Sequence, residues 1–181
     1  MSEKIIKAAR KADAATVKTL LDRGADVDFR DNDGHTGVHW AAATGHTDVL
    51  KLLIERGGSV NTTNIRGYTP LMANCARGIQ RIVPILLEHG ADVNAKTPDA
   101  ETALMNAAAQ QEDPIILRLL LDNGVRVNDR SERGGTALMR AFKAGWADTV
   151  QILLNHRADP EIAMNDGTTL LSTAIERRNG R

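Results

Sequence analysis

Apolar residues recur along this chain at helical spacing, in short stretches set off by polar turns. Val49, Leu50, Leu52 and Leu53 form one stripe, and Ile82, Val83, Ile85, Leu86 and Leu87 form the next. Stripes of this kind predict short amphipathic helices. Ahead of them lie segments rich in small residues, with Ala8-Ala9, Ala41-Ala42 and Ala107-Ala108, which predict inner helices that approach their neighbours closely. A glycine after each stripe permits the left-handed turn that stops a helix. Between units, a turn such as Asn64-Ile65-Arg66-Gly67 leads into Thr69-Pro70, which suit an N-cap and a first helical position.

These features repeat with a fixed period. Threonine stands at Thr36, Thr69, Thr102, Thr136 and Thr169, at separations of 33, 33, 34 and 33 residues. A second ladder, Gly24, Gly57, Gly90, Gly124 and then Arg157, has the same spacing. In this register the chain resembles the 33-residue ankyrin repeat. Thr36-Gly37-Val38-His39 stands where that family has T-P-L-H, Gly45-His46 matches its G-H, and Gly90-Ala91-Asp92-Val93-Asn94 reproduces its G-A-D-V-N ending.

The resemblance covers essentially the whole chain. It implies an all-α solenoid of stacked helix-turn-helix units with protruding β-turns or short hairpins, about five full repeats and a partial C-terminal unit. The expected boundaries are 1–30, 31–63, 64–96, 97–130, 131–163 and 164–181, within one domain spanning 1–181. A repeat unit cannot bury its own apolar face, so stability is expected to come from neighbouring units.

Four departures matter. The extra residue of the fourth unit falls between Thr102 and Gly124 and is expected in the turn Gln110-Gln111-Glu112-Asp113, with Asp113 as N-cap and Pro114 as first helical residue of the outer helix. Pro84 is expected in the first turn of its helix, where the missing N–H does no harm. Arg157 replaces the helix-ending glycine, so either a residue with a side chain turns left-handed or the helix ends differently. The last unit stops before any outer helix, as a polar cap or a trimmed longer protein would.

Composition narrows the function. Lys plus Arg (23) balance Asp plus Glu (23), which removes the long-range attraction to nucleic acid or an anionic membrane. Neither a signal peptide nor a membrane span is legible. The single cysteine, Cys75, is read as a small buried thiol and fits a reducing compartment, the cytoplasm. His35, His39 and His46 fall in the second unit and His89 and His156 in the third and fifth; they are read as lacking a metal-ligand set, with no second cysteine to complete a zinc site, so no metal or cofactor is expected. The resemblance implies that His39 joins turn and helix by hydrogen bonds. Carboxylates such as Asp31, Asp33, Asp99 and Glu101 are read as turn residues, and no catalytic residue is assigned. Trp40 is expected in the core between helices, whereas Trp146, in the inter-helix turn of the fifth unit, is a candidate exposed anchor.

The resemblance further implies protein recognition through a concave face of turn tips and exposed inner-helix positions. Carried over by register, that face holds Arg10, Lys11, Asn32, Asp33, His35 and Thr44, then Ile65, Arg66, Tyr68 and Arg77. It continues with Asp99, Glu101 and Gln110, then Glu132, Arg133 and Lys143. Ile65, Arg66 and Tyr68 combine residue types that dominate binding energy and form the expected hot spot. Basic positions flank the acidic Asp99 and Glu101, which points to a partner of mixed charge. The expected function is therefore a non-catalytic, monomeric protein-interaction module. The alternatives are a targeting or regulatory domain of a larger enzyme or secreted effector, or an inhibitor or immunity-type protein.

Overall fold

In the computed structural model, which describes residues 2–110 and 114–179, the threonine ladder proves to be a ladder of helix caps. The hydroxyl oxygen of Thr36 accepts the backbone N–H of His39 at 3.4 Å, and Thr69, Thr102 and Thr136 do the same for Met72, Met105 and Met139 at 3.3, 3.2 and 3.3 Å. All four threonines are buried, so each cap satisfies a donor that water cannot reach; truncating one costs about 1 kcal/mol. The glycine ladder is equally literal. Gly24, Gly57, Gly90 and Gly124 have φ between +76° and +89°, and a backbone bond from the next residue closes each helix end, as from Ala91 N–H to the Leu86 carbonyl.

The helices form inner and outer pairs. The first are α1 (Glu3–Arg10) with α2 (Ala14–Asp22), α3 (Gly37–Thr44) with α4 (Thr47–Glu55), and α5 (Pro70–Cys75) with α6 (Ile82–Glu88). Then come α7 (Ala103–Gln110) with α8 (Ile115–Asp122), α9 (Ala137–Ala144) with α10 (Ala147–Asn155), and α11 (Leu170–Asn179). No strand occurs among the described residues, and no helix there is long and apolar enough to cross a membrane. The fold is all-α. Pro84 is the third residue of α6, within its first turn, and Pro114 directly precedes α8. Gln111, Glu112 and Asp113, where the insertion and its N-cap were expected, lie outside the described residues.

The fold divides into two compact units, Met1–Asp92 and Val93–Arg181. In the first, α3 packs between the inner helices α1 and α5, and its small-residue face permits the close approach. Ile5, Leu50, Leu53, Leu71, Met72, Ile82 and Leu86 are its largest fully buried side chains. In the second, α7 packs on α9 and α9 on α11, over a core that includes Leu104, Met105, Ile116, Leu117 and Leu120.

Successive repeats are tied on the outer side by an asparagine bridge. Asn61 donates its side-chain amide to the Gly90 carbonyl at 2.8 Å and accepts the Asp92 N–H at 2.8 Å. Asn94 treats Gly124 and Arg126 in the same way. Each bridge satisfies one donor and one acceptor left at a helix end. In the first repeat Asp28 replaces the asparagine and makes only the accepting half, from Ser59 N–H at 3.0 Å.

Candidate partner-binding face

Five turns project ahead of the inner helices, each closed by a backbone bond between its first and fifth residues, such as Asp31 N–H to His35 and Asn64 N–H to Tyr68. Asx geometry stiffens them further. Asp31 Oδ1 accepts the N–H groups of Asp33 and His35, and Asn64 Oδ1 accepts those of Arg66 and Tyr68. Neighbouring tips are then linked. Ile65 N–H donates to the Asp33 carbonyl at 3.0 Å in the first unit; in the second, Glu132 N–H donates to Asp99 at 2.9 Å and Asn165 N–H to Arg133 at 3.1 Å. The side chains at the tips therefore stand on a hydrogen-bonded scaffold.

Behind the first tips lies a polar and aromatic cluster. His39 is buried beneath it, with Nδ1 beside the Thr36 N–H at 3.2 Å and Nε2 donating to the Tyr68 carbonyl at 3.1 Å. Burial pushes its imidazole down to about 4, against the opposing pull of the Tyr68 carbonyl. Its role is the turn-to-helix join implied by the resemblance. Trp40 differs from expectation: it is half-buried on this face rather than in the core. The reason is polar. Its indole N–H donates to Asp31 Oδ2 at 2.8 Å, and the Arg10 guanidinium lies over the ring at 4.1 Å.

Asp31, Asp33 and His35 bring three possible ligand atoms within 4.8 Å of one another, a grouping that the search by histidine spacing did not raise. Asp31, however, already accepts from two backbone N–H groups and the Trp40 indole. Partial burial raises its pKa, but those bonds outweigh burial and hold it below the usual carboxylate value. His35 lies against Asp31 at 3.5 Å and receives the Asn64 amide at 3.1 Å. This is turn architecture.

Of the residues singled out in the first unit, Asp33, His35, Ile65 and Arg66 line a single surface pocket of about 270 Å³ together with Asn64. Ile65 is 70% exposed, Arg66 is exposed and Tyr68 half-buried. Arg77 is exposed, with one guanidinium nitrogen 3.5 Å from the Ala43 carbonyl. In the second unit Asp99, Glu132 and Arg133 are exposed at the tips. Glu101 is half-buried and ion-paired with Arg140, which leaves less free acidic charge there than the sequence implied. Arg140 was missed; it stands four residues after the capping threonine, as Trp40 does, and that shared register was the available signal. Lys143 is exposed, with its amino group 3.3 Å from Met164 Sδ. Trp146 lies apart from the tips, half-buried, its indole N–H donating to the Ala109 carbonyl at 3.4 Å. His46, in the same register, meets the Arg10 carbonyl at 3.3 Å.

Cys75 is fully buried, and burial pushes its thiol up to about 12, far from the thiolate that a nucleophile needs.

A family model for ankyrin repeats (3 copies) matches residues 5–97 and 104–180. The chain belongs to the ankyrin repeat family. Similar ankyrin segments occur in proteins of differing name. The chain is 47% identical over 53 residues to human ankyrin repeat domain-containing protein 63, and 35% identical over 79 residues to human BCL-6 corepressor-like protein 1. It is 35% identical over 74 residues to ADP-ribosylation factor GTPase-activating protein AGD2 of Arabidopsis thaliana. These matches cover 29%, 44% and 41% of this chain and only 14%, 4% and 10% of the respective relatives. Ankyrin repeats generally serve as protein-interaction modules and are typically non-enzymatic.

Proposed function

We propose that this chain is a non-catalytic protein-interaction module whose turn tips and exposed inner-helix positions receive a partner protein. The observation that carries this reading is Ile65: a large apolar side chain, 70% exposed, on a turn tip fixed by hydrogen bonds and beside an exposed arginine. The backbone of that tip is already ordered before binding, so less of its apolar area is spent on ordering the turn. A reducing compartment such as the cytoplasm suits the lone buried thiol of Cys75.

The test is affinity capture from source-cell lysate with the wild-type chain beside an Ile65→Ala/Arg66→Ala chain of unchanged melting temperature. A protein retained by the first and lost by the second supports the reading. Equal capture by both would move the interface off the tips of the first unit. A second reading, a targeting or regulatory part of a larger protein, draws support from relatives in which the matched segment is a small fraction of the whole. Detection of a longer native product carrying a second domain would favour it.

A further inference from the structure

Within residues 1–92, the exposed formal charge along the inner-helix face and turn tips is unbalanced. Arg10, Lys11, Arg66 and Arg77 are exposed there, against the exposed carboxylates of Asp33 and, beside Lys11, Asp13, whose Oδ1 accepts the Thr16 N–H. Asp31 is occupied by the Trp40 indole and two backbone donors. Among the described residues, none of Arg10, Lys11 and Arg66 is in an ion pair. Other cations of the same unit do find carboxylates, as Lys7 does with Glu3 on the helix that carries Arg10, and Arg56 with Asp22.

The cations are also arranged. The Arg10 guanidinium lies over the Trp40 ring at 4.1 Å, a cation–π contact that holds the charge at this face and is not itself a hydrogen bond to an acceptor. Trp40 is fixed in turn by Asp31, and its ring lies 5.1 Å from that of His35. His35 lines the pocket shared by Asp33, Asn64, Ile65 and Arg66. A continuous track thus runs from Arg10 through Trp40 and His35 to Ile65 and Arg66.

We propose that this track receives an acidic peptide segment of a partner protein, with carboxylates on Arg10 and Arg66 and one apolar side chain against Ile65. The proposal rests on the reading that the turn tips and inner helices form the binding face, and adds the chemistry of the partner. Planar guanidinium groups match carboxylates in a bidentate fork, and an arginine already held over an aromatic ring loses less freedom on pairing. A phosphate backbone suits the track less well. Asp33 lies in the pocket itself, Ile65 offers an apolar surface, and the chain as a whole carries no net charge to draw in a polyanion.

The experiment is selection of random 12-residue peptides displayed on phage against the full 181-residue chain, followed by titration of the synthesised winners. Winners are expected to carry net negative charge and a Leu, Ile or Phe. Their affinity is expected to fall at least tenfold for Arg10→Glu/Arg66→Glu and several-fold between 50 and 300 mM salt, while Lys51→Glu on the exposed side of α4 leaves it unchanged. Circular dichroism and melting verify the double variant, and Arg66→Glu alone, at a turn tip, replaces it if the fold suffers.

Neutral or basic winners overturn the proposal. If those winners are lost with Ile65→Ala/Arg66→Ala, the binding face itself survives. Winners indifferent to both sets of variants sink the face as well. An absence of winners, or their displacement by a mixed-sequence single-stranded oligonucleotide, also counts against an acidic peptide.

Discussion

Asn128 donates its side-chain amide to the main-chain carbonyl of Arg157 at 3.0 Å, and Arg157 holds φ at +65° where the other repeats have glycine. Its Oδ1 accepts the Asp159 N–H at 2.8 Å, so the bridge forms in full and the left-handed turn is imposed on a residue with a Cβ. That conformation costs an L-residue about 1–2 kcal/mol, offset in part by the greater entropy that glycine loses on folding. Arg157→Gly is therefore expected to stabilise the fold by about 0.5–1 kcal/mol. Denaturant unfolding with an unchanged m-value checks this, and a loss of stability would mean that the arginine side chain contributes more than its backbone conformation takes away.

The same bridge is half made in the first repeat. Asp28 accepts the Ser59 N–H but, as a carboxylate, has no donor for the Gly57 carbonyl, which Asn61, Asn94 and Asn128 supply to the equivalent oxygens. Asp28→Asn is expected to add that bond and raise stability by about 0.5–1 kcal/mol. The increase should vanish in Asp28→Ala, whose melting point should lie below that of wild type.

Two glycines with similar φ are expected to respond differently to alanine. At Gly57 (φ +89°) an added Cβ meets nothing within 4 Å, so Gly57→Ala carries only the left-handed penalty, about 1 kcal/mol. At Gly34 (φ +77°) the Cβ would lie 2.9 Å from the Ile65 nitrogen and 3.2 Å from two backbone atoms of Asn64. The tip-to-tip bond from Ile65 to Asp33 leaves no room to retreat, so Gly34→Ala is expected to cost about 2–3 kcal/mol. It should also weaken any partner that uses Ile65. Equal melting shifts for the two variants would show that the tips yield easily.

The fold was legible because its determinants are local and repeated. Thr69 caps as its spacing implied, the glycines end helices, and the alanine pairs lie buried between inner helices. What the sequence hid were the long-range polar pairings. The indole of Trp40 is drawn onto the exposed face by a carboxylate nine residues earlier, and Glu101 is neutralised by Arg140, 39 residues away. A reading by residue type puts a tryptophan in the core and a glutamate in the solvent, because hydrophobicity carries no record of which partner a polar atom will meet. For the same reason the tips of the first unit could be nominated from Ile65, Arg66 and Tyr68, whereas the track linking them to Arg10 could not.

Acid should unfold this protein in a window set by His39. In the unfolded chain its imidazole takes up a proton as the pH falls through about 6.5; in the fold, burial delays protonation to about 4. Between those values the unfolded state binds more protons, so the His39 contribution is complete above pH 6.5, is lost as the pH falls towards 4, and changes no further below. The full loss is roughly 3 kcal/mol. The lowered carboxylates Asp13, Asp31 and Asp166 act below this window, because their ordinary value is already 3.8. Urea midpoints at pH 7, 6 and 5 should therefore fall for wild type and stay nearly level for His39→Gln, which starts less stable because it gives up the Thr36 and Tyr68 bonds. Parallel slopes for the two chains would place the acid sensitivity at another group and leave His39 as a packing residue only.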